Sequence, residues 1–408
     1  MSRRPLNILF IADANTTGGA TDCLIELVRE FSERFGFNCI VLTTSKDDLA
    51  NKLDLIGIRN IAIGHYPFME SRPEMAYRRL PKYVSTYFRY FITRNRALKR
   101  AEDSINFDEI DIIHTNLPRD DLGIELAKRH DIPHVTHLRE FSFEHFRCWS
   151  FRRDPVGYLS NGSSALIAVS AACRDAWVKR GVDECKISVV YDGVKGVEGS
   201  LFGPHAASLG SQQLRIFFLG GYNAPKGIED AVGSLCLLPQ ELKKRVSMDV
   251  YGGGDARLRR RLESRLLKCG MHDSVRFLGE VGNIPELLPK YDLGLVCSRS
   301  EAFGRVVVEF AASGLAVLGA NTGSMPELLL PDNIGILYDK SSGAEDLSKK
   351  VQFLMKHPEE LATLQSNGPR VAKKYSIRRN AEEVKWIYDR VLDARIREAS
   401  ESGCNQSI

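Results

Sequence analysis

Apolar positions along the chain fall into short continuous runs, separated by longer stretches in which they recur every three or four residues. The run 6–12 is strand-length and apolar apart from Asn7, which predicts a strand covered on both faces. Gly18-Gly19 then predicts a turn, and Ala20, Cys23, Leu24, Leu27, Val28 and Phe31 form the stripe of a helix. Further strands are expected at 39–43, 61–63, 111–114, 134–137, 165–169 and 187–190, with room for helices between most of them. From 193 to 213 the chain turns to Gly, Ser and Ala and loses its periodicity, as a linker does. The pattern restarts with strands expected at 214–219, 247–251, 275–278, 293–297 and 316–318. Ala381, Val384, Ile387, Tyr388 and Val391 then mark a long helix over 377–398. Alternating strands and helices imply an α/β fold of two Rossmann-like domains. The expected boundaries are 1–195 with helix 377–398, a linker at 196–213, a second domain at 214–376, and a disordered tail at 399–408.

Composition narrows the function. The 408 residues exceed what one core usually supports, about 250. The 56 basic and 52 acidic side chains nearly cancel, so no nucleic-acid partner is implied. Nine cysteines lie no closer together than Cys173 and Cys185, which excludes a local disulfide framework or a CxxC pair and suits a reducing cytoplasm. The apolar run at the start is too short for a secretory leader, and the stretch 306–320 is broken by Glu309 and Ser313 and too short to span a bilayer. One local asymmetry stands out. Between Arg72 and Arg100 nine Lys/Arg and a single acidic residue, Glu74, are interleaved with tyrosines and phenylalanines. Residues 78–100 therefore have the composition of a contact with an anionic membrane, or of a helix with a buried aromatic face and a solvated basic one.

In open α/β sheets ligands bind beyond the carboxyl ends of strands, so the loops after the expected strands are the places to look for chemistry. The loop 13–20 ends in Gly18-Gly19, which lets backbone N–H groups approach an anion, but it lacks the GxGxxG spacing of a dinucleotide site. The segment 298–309 is more informative. Glu301 lies in the loop after a strand, Gly304 opens a helix, and Glu309 follows about one and a half turns into it. Free N–H donors at a helix start suit a diphosphate, and two flanking carboxylates suit sugar and ribose hydroxyls.

The sequence Glu301-Ala302-Phe303-Gly304-Arg305-Val306, with Glu309, Gly314-Leu315-Ala316-Val317 and Gly323-Ser324-Met325-Pro326-Glu327-Leu328, resembles glycosyltransferase family 4. Gly18-Gly19-Ala20, His137-Leu138-Arg139-Glu140-Phe141, Val189-Val190-Tyr191-Asp192-Gly193-Val194, Lys226-Gly227 and Tyr251-Gly252-Gly253-Gly254 extend the match over nearly the whole chain. The resemblance implies a GT-B fold, two Rossmann-like domains facing a cleft, with the C-terminal helix returning to the first. It also implies a retaining transferase that needs no cofactor and no obligatory metal, and no Asp-x-Asp pair occurs anywhere in the sequence. Carried over residue by residue, Glu301 resembles the carboxylate at the donor-sugar hydroxyls, Glu309 the ribose ligand, Lys226 the diphosphate lysine and His137 the histidine near the sugar. Gly18, Gly19, Phe303, Gly304, Arg305 and Val306 would line the donor. One departure is visible: the family's usual arginine five residues before the lysine is Gly221 here, and Arg305 or Arg139 would have to compensate.

The stretch around Ile110 to Asn116 and His137 to Phe141 is most similar to bacterial capsule, exopolysaccharide and lipopolysaccharide enzymes. The expected partners are therefore a nucleotide sugar and a saccharide or lipid-linked saccharide acceptor, with the chain in the cytoplasm or at the inner face of the membrane. Two alternatives remain open on sequence: a catalytically weak GT-B partner protein that binds nucleotide sugar, and a sugar-nucleotide epimerase.

Overall fold

The computed structural model describes residues 4–12, 18–46, 48–72, 79–144, 147–199 and 213–404. The chain divides into two compact units, one formed by Met1–Gly193 with Ile377–Ile408 and the other by Val194–Ser376. Most of the expected linker, 200–212, falls outside the described residues, and residues 194–199 belong to the second unit, where Val194 bridges to Ser376.

The first unit carries a seven-stranded parallel sheet. Its strands are β1 Asn7–Ile11, β2 Asn38–Thr43, β3 Arg59–Ala62, β5 Ile112–Thr115, β6 His134–Leu138, β8 Ala165–Ala168 and β9 Ile187–Val189. They lie side by side in the order β3-β2-β1-β5-β6-β8-β9. A short antiparallel pair, β4 Met69–Glu70 with β7 Trp149–Ser150, stands apart from them. The apolar run of β1 is explained by burial on both faces. Ile8 and Phe10 pack with Leu24, Leu27 and Phe31 of helix Gly19–Phe35 and with Val384 and Tyr388 of helix Ile377–Cys404. Leu9 and Ile11 pack on the opposite face with Ala97, Leu98, Leu122 and Leu126. Each such side chain contributes about 1.5–3 kcal/mol on burial. The last helix continues to Cys404 instead of giving way to a tail at 399, because nothing between Glu398 and Glu401 breaks it and Ser400 Oγ donates back to the carbonyl of Ile396 at 2.8 Å. Residues 405–408 lie outside the described residues.

The second unit carries a six-stranded parallel sheet. Its strands are β10 Leu214–Leu219, β11 Val246–Tyr251, β12 Val275–Gly279, β13 Leu293–Val296, β14 Ala316–Ala320 and β15 Gly335–Tyr338. Their order is β12-β11-β10-β13-β14-β15. The sequence pattern does not anticipate β15, since Gly335-Ile336-Leu337-Tyr338 is short and has no alternation to mark it. Helices Ile228–Cys236 and Ala256–Cys269 pack on one face, and a disulfide joins Cys236 to Cys269 with Cα atoms 5.4 Å apart. This bridge links residues 33 apart, so spacing along the chain gave no sign of it.

Helix Arg79–Ser104 has two unlike sides. On the inner side Tyr90 is buried and donates to Asp121 Oδ2 at 2.6 Å, Arg94 pairs with Glu125 at 2.7 Å, and Ala97, Leu98 and Ala101 enter the core. On the outer side Leu80, Val84, Tyr87, Phe88, Phe91 and Ile92 are exposed, Leu80 at 72% and Phe88 at 58%. Their spacing of three and four places them in one stripe. No helix among the described residues is long and apolar enough to cross a membrane.

Candidate functional site

Strand order decides which loops meet. In the second sheet β10 and β13 are neighbours although two strands intervene in sequence, so the chain leaves them in opposite directions and a crevice opens beyond their carboxyl ends. Lys226 ends the tight turn that follows β10, and Gly227 takes a left-handed φ of 74°, where a Cβ would lie 1.9 Å from the carbonyl oxygen of Cys297 at the end of β13. This close approach brings Lys226 to the loop after β13. Its Nζ donates to Glu301 Oε1 at 2.8 Å, and Ser298 Oγ donates to the same oxygen at 2.5 Å. Lys226 is 44% exposed and Glu301 16%, so both can still reach a ligand.

The loop is held from behind. The Ser324 N–H donates to the carbonyl of Glu301 at 3.0 Å, and Ser324 Oγ donates to the carbonyl of Phe303 at 2.7 Å. Gly304 adopts φ 84° as the cap of helix Arg305–Ala312, and a Cβ there would meet Met325 Cε at 2.5 Å. Arg305 Nε donates to Glu309 Oε1 at 3.0 Å, one turn further along the same face, and Val306 is half-buried beside them. Phe303 differs from expectation. Its side chain is 4% exposed and packs against Tyr375 with ring centroids 5.8 Å apart, so it supports the loop from the core and offers a ligand only its backbone.

Gly221 has a structural reason. Its φ is 57°, and a Cβ would lie 2.0 Å from the carbonyl oxygen of Gly253 and 2.6 Å from that of Gly252. The Gly252-Gly253-Gly254 loop after β11 occupies the space an arginine side chain would need at its root, with Tyr222 bridged to Gly254.

In the first sheet the corresponding neighbours are β1 and β5. Residues 13–17 of the loop after β1 lie outside the described residues; Gly18, at φ 120°, and Gly19 open helix Gly19–Phe35, and among the described residues no non-neighbouring atom lies within 4 Å of where a Cβ would stand on either. Asn116, just after β5, donates from Nδ2 to the carbonyl of Ala20 at 3.3 Å. Arg139, just after β6, is 7% exposed, and each guanidinium nitrogen is engaged: Nε with Asn116 Oδ1 at 2.9 Å, Nη1 with Asp192, and Nη2 with His137 Nδ1 at 3.2 Å. His137 is fully buried at the end of β6, and its Nδ1 also lies 3.3 Å from His114 Nε2. His114 Nδ1 in turn lies 2.5 Å from Tyr388 Oη. Burial first, then the Arg139 charge, holds both imidazoles well below their usual pKa and therefore neutral. Of this cluster, His114, Asn116, Asp192 and Tyr388 were not singled out by role from sequence. A histidine inside an apolar strand and a tyrosine on an apolar helix stripe look like core residues.

Two family models tile the chain. The description "Glycosyl transferases group 1" matches residues 206–371, and "Glycosyltransferase Family 4" matches residues 17–195. The chain belongs to the GT-B glycosyltransferases. It is an enzyme of the transferase class. An uncharacterised glycosyltransferase of Methanocaldococcus jannaschii is 24% identical over 304 residues, 73% of this chain and 80% of that one. The lipopolysaccharide core biosynthesis mannosyltransferase LpsB of Rhizobium meliloti is 29% identical over 138 residues, 32% of this chain and 38% of its own length. In fold, this glycosyltransferase is similar to Anabaena HepE, solved with UDP and glucose, at a TM-score of 0.73 and 21% identity, covering 94% of this chain and 99% of the other.

Proposed function

We propose that this glycosyltransferase retains anomeric configuration and moves a hexose from a nucleotide sugar to a saccharide or lipid-linked saccharide acceptor in the assembly of a surface polysaccharide. The observation that carries the reading is the meeting of Lys226 and Glu301, 75 positions apart, beside the start of helix Arg305–Ala312. In this reading Glu301 accepts hydrogen bonds from sugar hydroxyls, Glu309 accepts from the ribose, and the helix start with Lys226 and Arg305 receives the diphosphate. As the bond to the anomeric carbon breaks, negative charge grows on the leaving diphosphate, and Lys226 stabilises it. The acceptor hydroxyl attacks from the face the diphosphate leaves, and its proton passes to a diphosphate oxygen, so no protein nucleophile and no obligatory metal are required.

The exposed stripe of helix Arg79–Ser104 supports a further element of the same reading: contact with an anionic membrane surface from the cytoplasmic side. Apolar side chains on one line, flanked by exposed Arg89, Arg96 and Lys99, match an interface where acyl chains and anionic headgroups lie within a few ångströms.

A thermal-shift screen of common nucleotide sugars, followed by product analysis with the stabilising donor, tests the proposal. At a hundredfold excess over its dissociation constant, a bound donor adds about 2.7 kcal/mol. Transfer, or slow hydrolysis with the anomeric configuration kept, is expected. A donor that stabilises but is neither transferred nor hydrolysed would favour the non-catalytic partner protein, and an inverted product would exclude the same-face mechanism.

A further inference from the structure

The buried chain Arg139, His137, His114, Tyr388 has only one consistent arrangement of protons, and it runs outward from the arginine. A guanidinium donates and never accepts, so the Arg139 Nη2 contact at 3.2 Å makes His137 Nδ1 an acceptor. His114 Nε2 faces that same acceptor at 3.3 Å and must therefore carry a proton. His114 Nδ1 is then an acceptor, and Tyr388 Oη at 2.5 Å supplies its hydrogen. Reversing His114 alone would set two lone pairs against each other between the imidazoles, and reversing both rings would leave the guanidinium facing an N–H. Arg139 is itself held in place on two other sides by Asn116 and Asp192.

One nitrogen remains. His137 Nε2 is buried and has no hydrogen-bond partner among the described residues. With Nδ1 committed as an acceptor, the proton of the neutral ring sits on Nε2, and an unpaired buried N–H is costly unless something arrives to accept from it. We infer that Arg139 is a positioning residue that locks His137 as the Nε2–H tautomer, with His114 and Tyr388 completing the lock, so that His137 presents a hydrogen-bond donor to an oxygen of the bound substrate and has no lone pair with which to act as a base. The role assigned to His137 in turnover rests on the glycosyltransferase reading; the tautomer does not.

Long-range proton–nitrogen correlation spectra of the full chain labelled with ¹⁵N-histidine read the tautomer directly, with His137→Gln and His114→Gln giving the assignments. The expected result is a protonated Nε2 and an unprotonated Nδ1 on both rings, unchanged from pH 5.5 to 8. A protonated Nδ1 on His137, or titration of His137 in that range, would overturn the inference. Arg139→Met combined with Asp192→Asn, which avoids leaving a buried carboxylate alone, should reverse the chain: His137 Nδ1–H then donates to His114, and His114 donates to Tyr388. Turnover at saturating donor should fall by about 10²-fold, as for the loss of one oriented donor, with donor KM changed far less. Arg139→Lys, whose ammonium also only donates, should restore the Nε2–H form. If the double variant keeps the wild-type tautomer, Arg139 is not the lock. Should the tautomer reverse while turnover holds, the donor role of His137 is wrong. Absence of transfer by the wild type would count against the proposed function, and the spectra would still decide the tautomer.

Discussion

At the scale of single residues, the proposed function puts on Lys226 alone the charge stabilisation for which the family resemblance leads one to expect an arginine as well. The backbone at Gly221 leaves no room for a side chain, so the lysine has no arginine beside it on that turn. Lys226→Ala should lower kcat by about 10²–10³-fold. Lys226→Arg should recover part of it, because a planar guanidinium keeps the charge but not the position of a compact ammonium. Steady-state rates at saturating donor, with melting temperature as the check on folding, decide this; an Ala variant keeping more than about a tenth of wild-type turnover would move the role to Arg305. Gly221→Arg should not improve matters. It should destabilise the protein by at least about 1 kcal/mol, read as a shifted denaturation midpoint, since a Cβ at φ 57° meets Gly253. Glu309→Gln should raise donor KM more than it lowers kcat, because a ribose contact is alike in ground and transition states. Lys226, Glu301, Glu309 and His137 enter the proposed function through the family resemblance of the sequence. That Phe303 serves the core, that Gly221 is enforced by Gly253, and that Arg139 is spent inside its own unit were not legible there, because each depends on a neighbour far away in sequence.

At the scale of elements, helix Arg79–Ser104 divides the cations and aromatics of its tract between two sides. The tract mixes cations and aromatics, but Tyr90 and Arg94 serve the interior through Asp121 and Glu125, while the stripe from Leu80 to Ile92 faces out with Arg89, Arg96 and Lys99. Substitutions should follow that division. Replacing Arg89, Arg96 and Lys99 with Ser should weaken co-sedimentation with anionic vesicles by about 1 kcal/mol per charge at low salt, while the melting temperature holds. Phe88→Ser with Ile92→Ser should weaken it further without a salt dependence. Unchanged co-sedimentation of both variants would remove the membrane contact. Arg94→Ser, by contrast, should lower stability, since it strips a partner from Glu125 and Asp121.

At the scale of the whole molecule, folding stability should carry the mark of histidines buried without charge. His134 is fully buried, and burial lowers its pKa to about 3, against about 6.5 in an unfolded chain. A group depressed in this way contributes fully above pH 6.5, and its contribution is lost as pH falls toward 3, because the unfolded chain takes up a proton that the folded one refuses. His134→Gln should therefore reduce the slope of unfolding free energy against pH by about 1.4 kcal/mol per unit between pH 5.5 and 4.5. Denaturant titrations at a series of pH values measure it, and equal slopes for variant and wild type would refute it. The same contrast between local and global divides what the sequence could say from what it could not. Most strand positions, the two parallel sheets, the long last helix and the glycosyltransferase motif follow from patterns within about twenty residues, where apolar spacing and turn chemistry act directly on the chain. Strand order is a different matter. So are the disulfide between Cys236 and Cys269, 33 positions apart, the meeting of Lys226 with Glu301, 75 apart, and the closing of the proton chain by His114 and Tyr388, 274 apart. Such contacts exist only once both faces of a sheet are covered and the chain has chosen which strands lie side by side, and that choice is made by packing the whole core rather than by any segment of it.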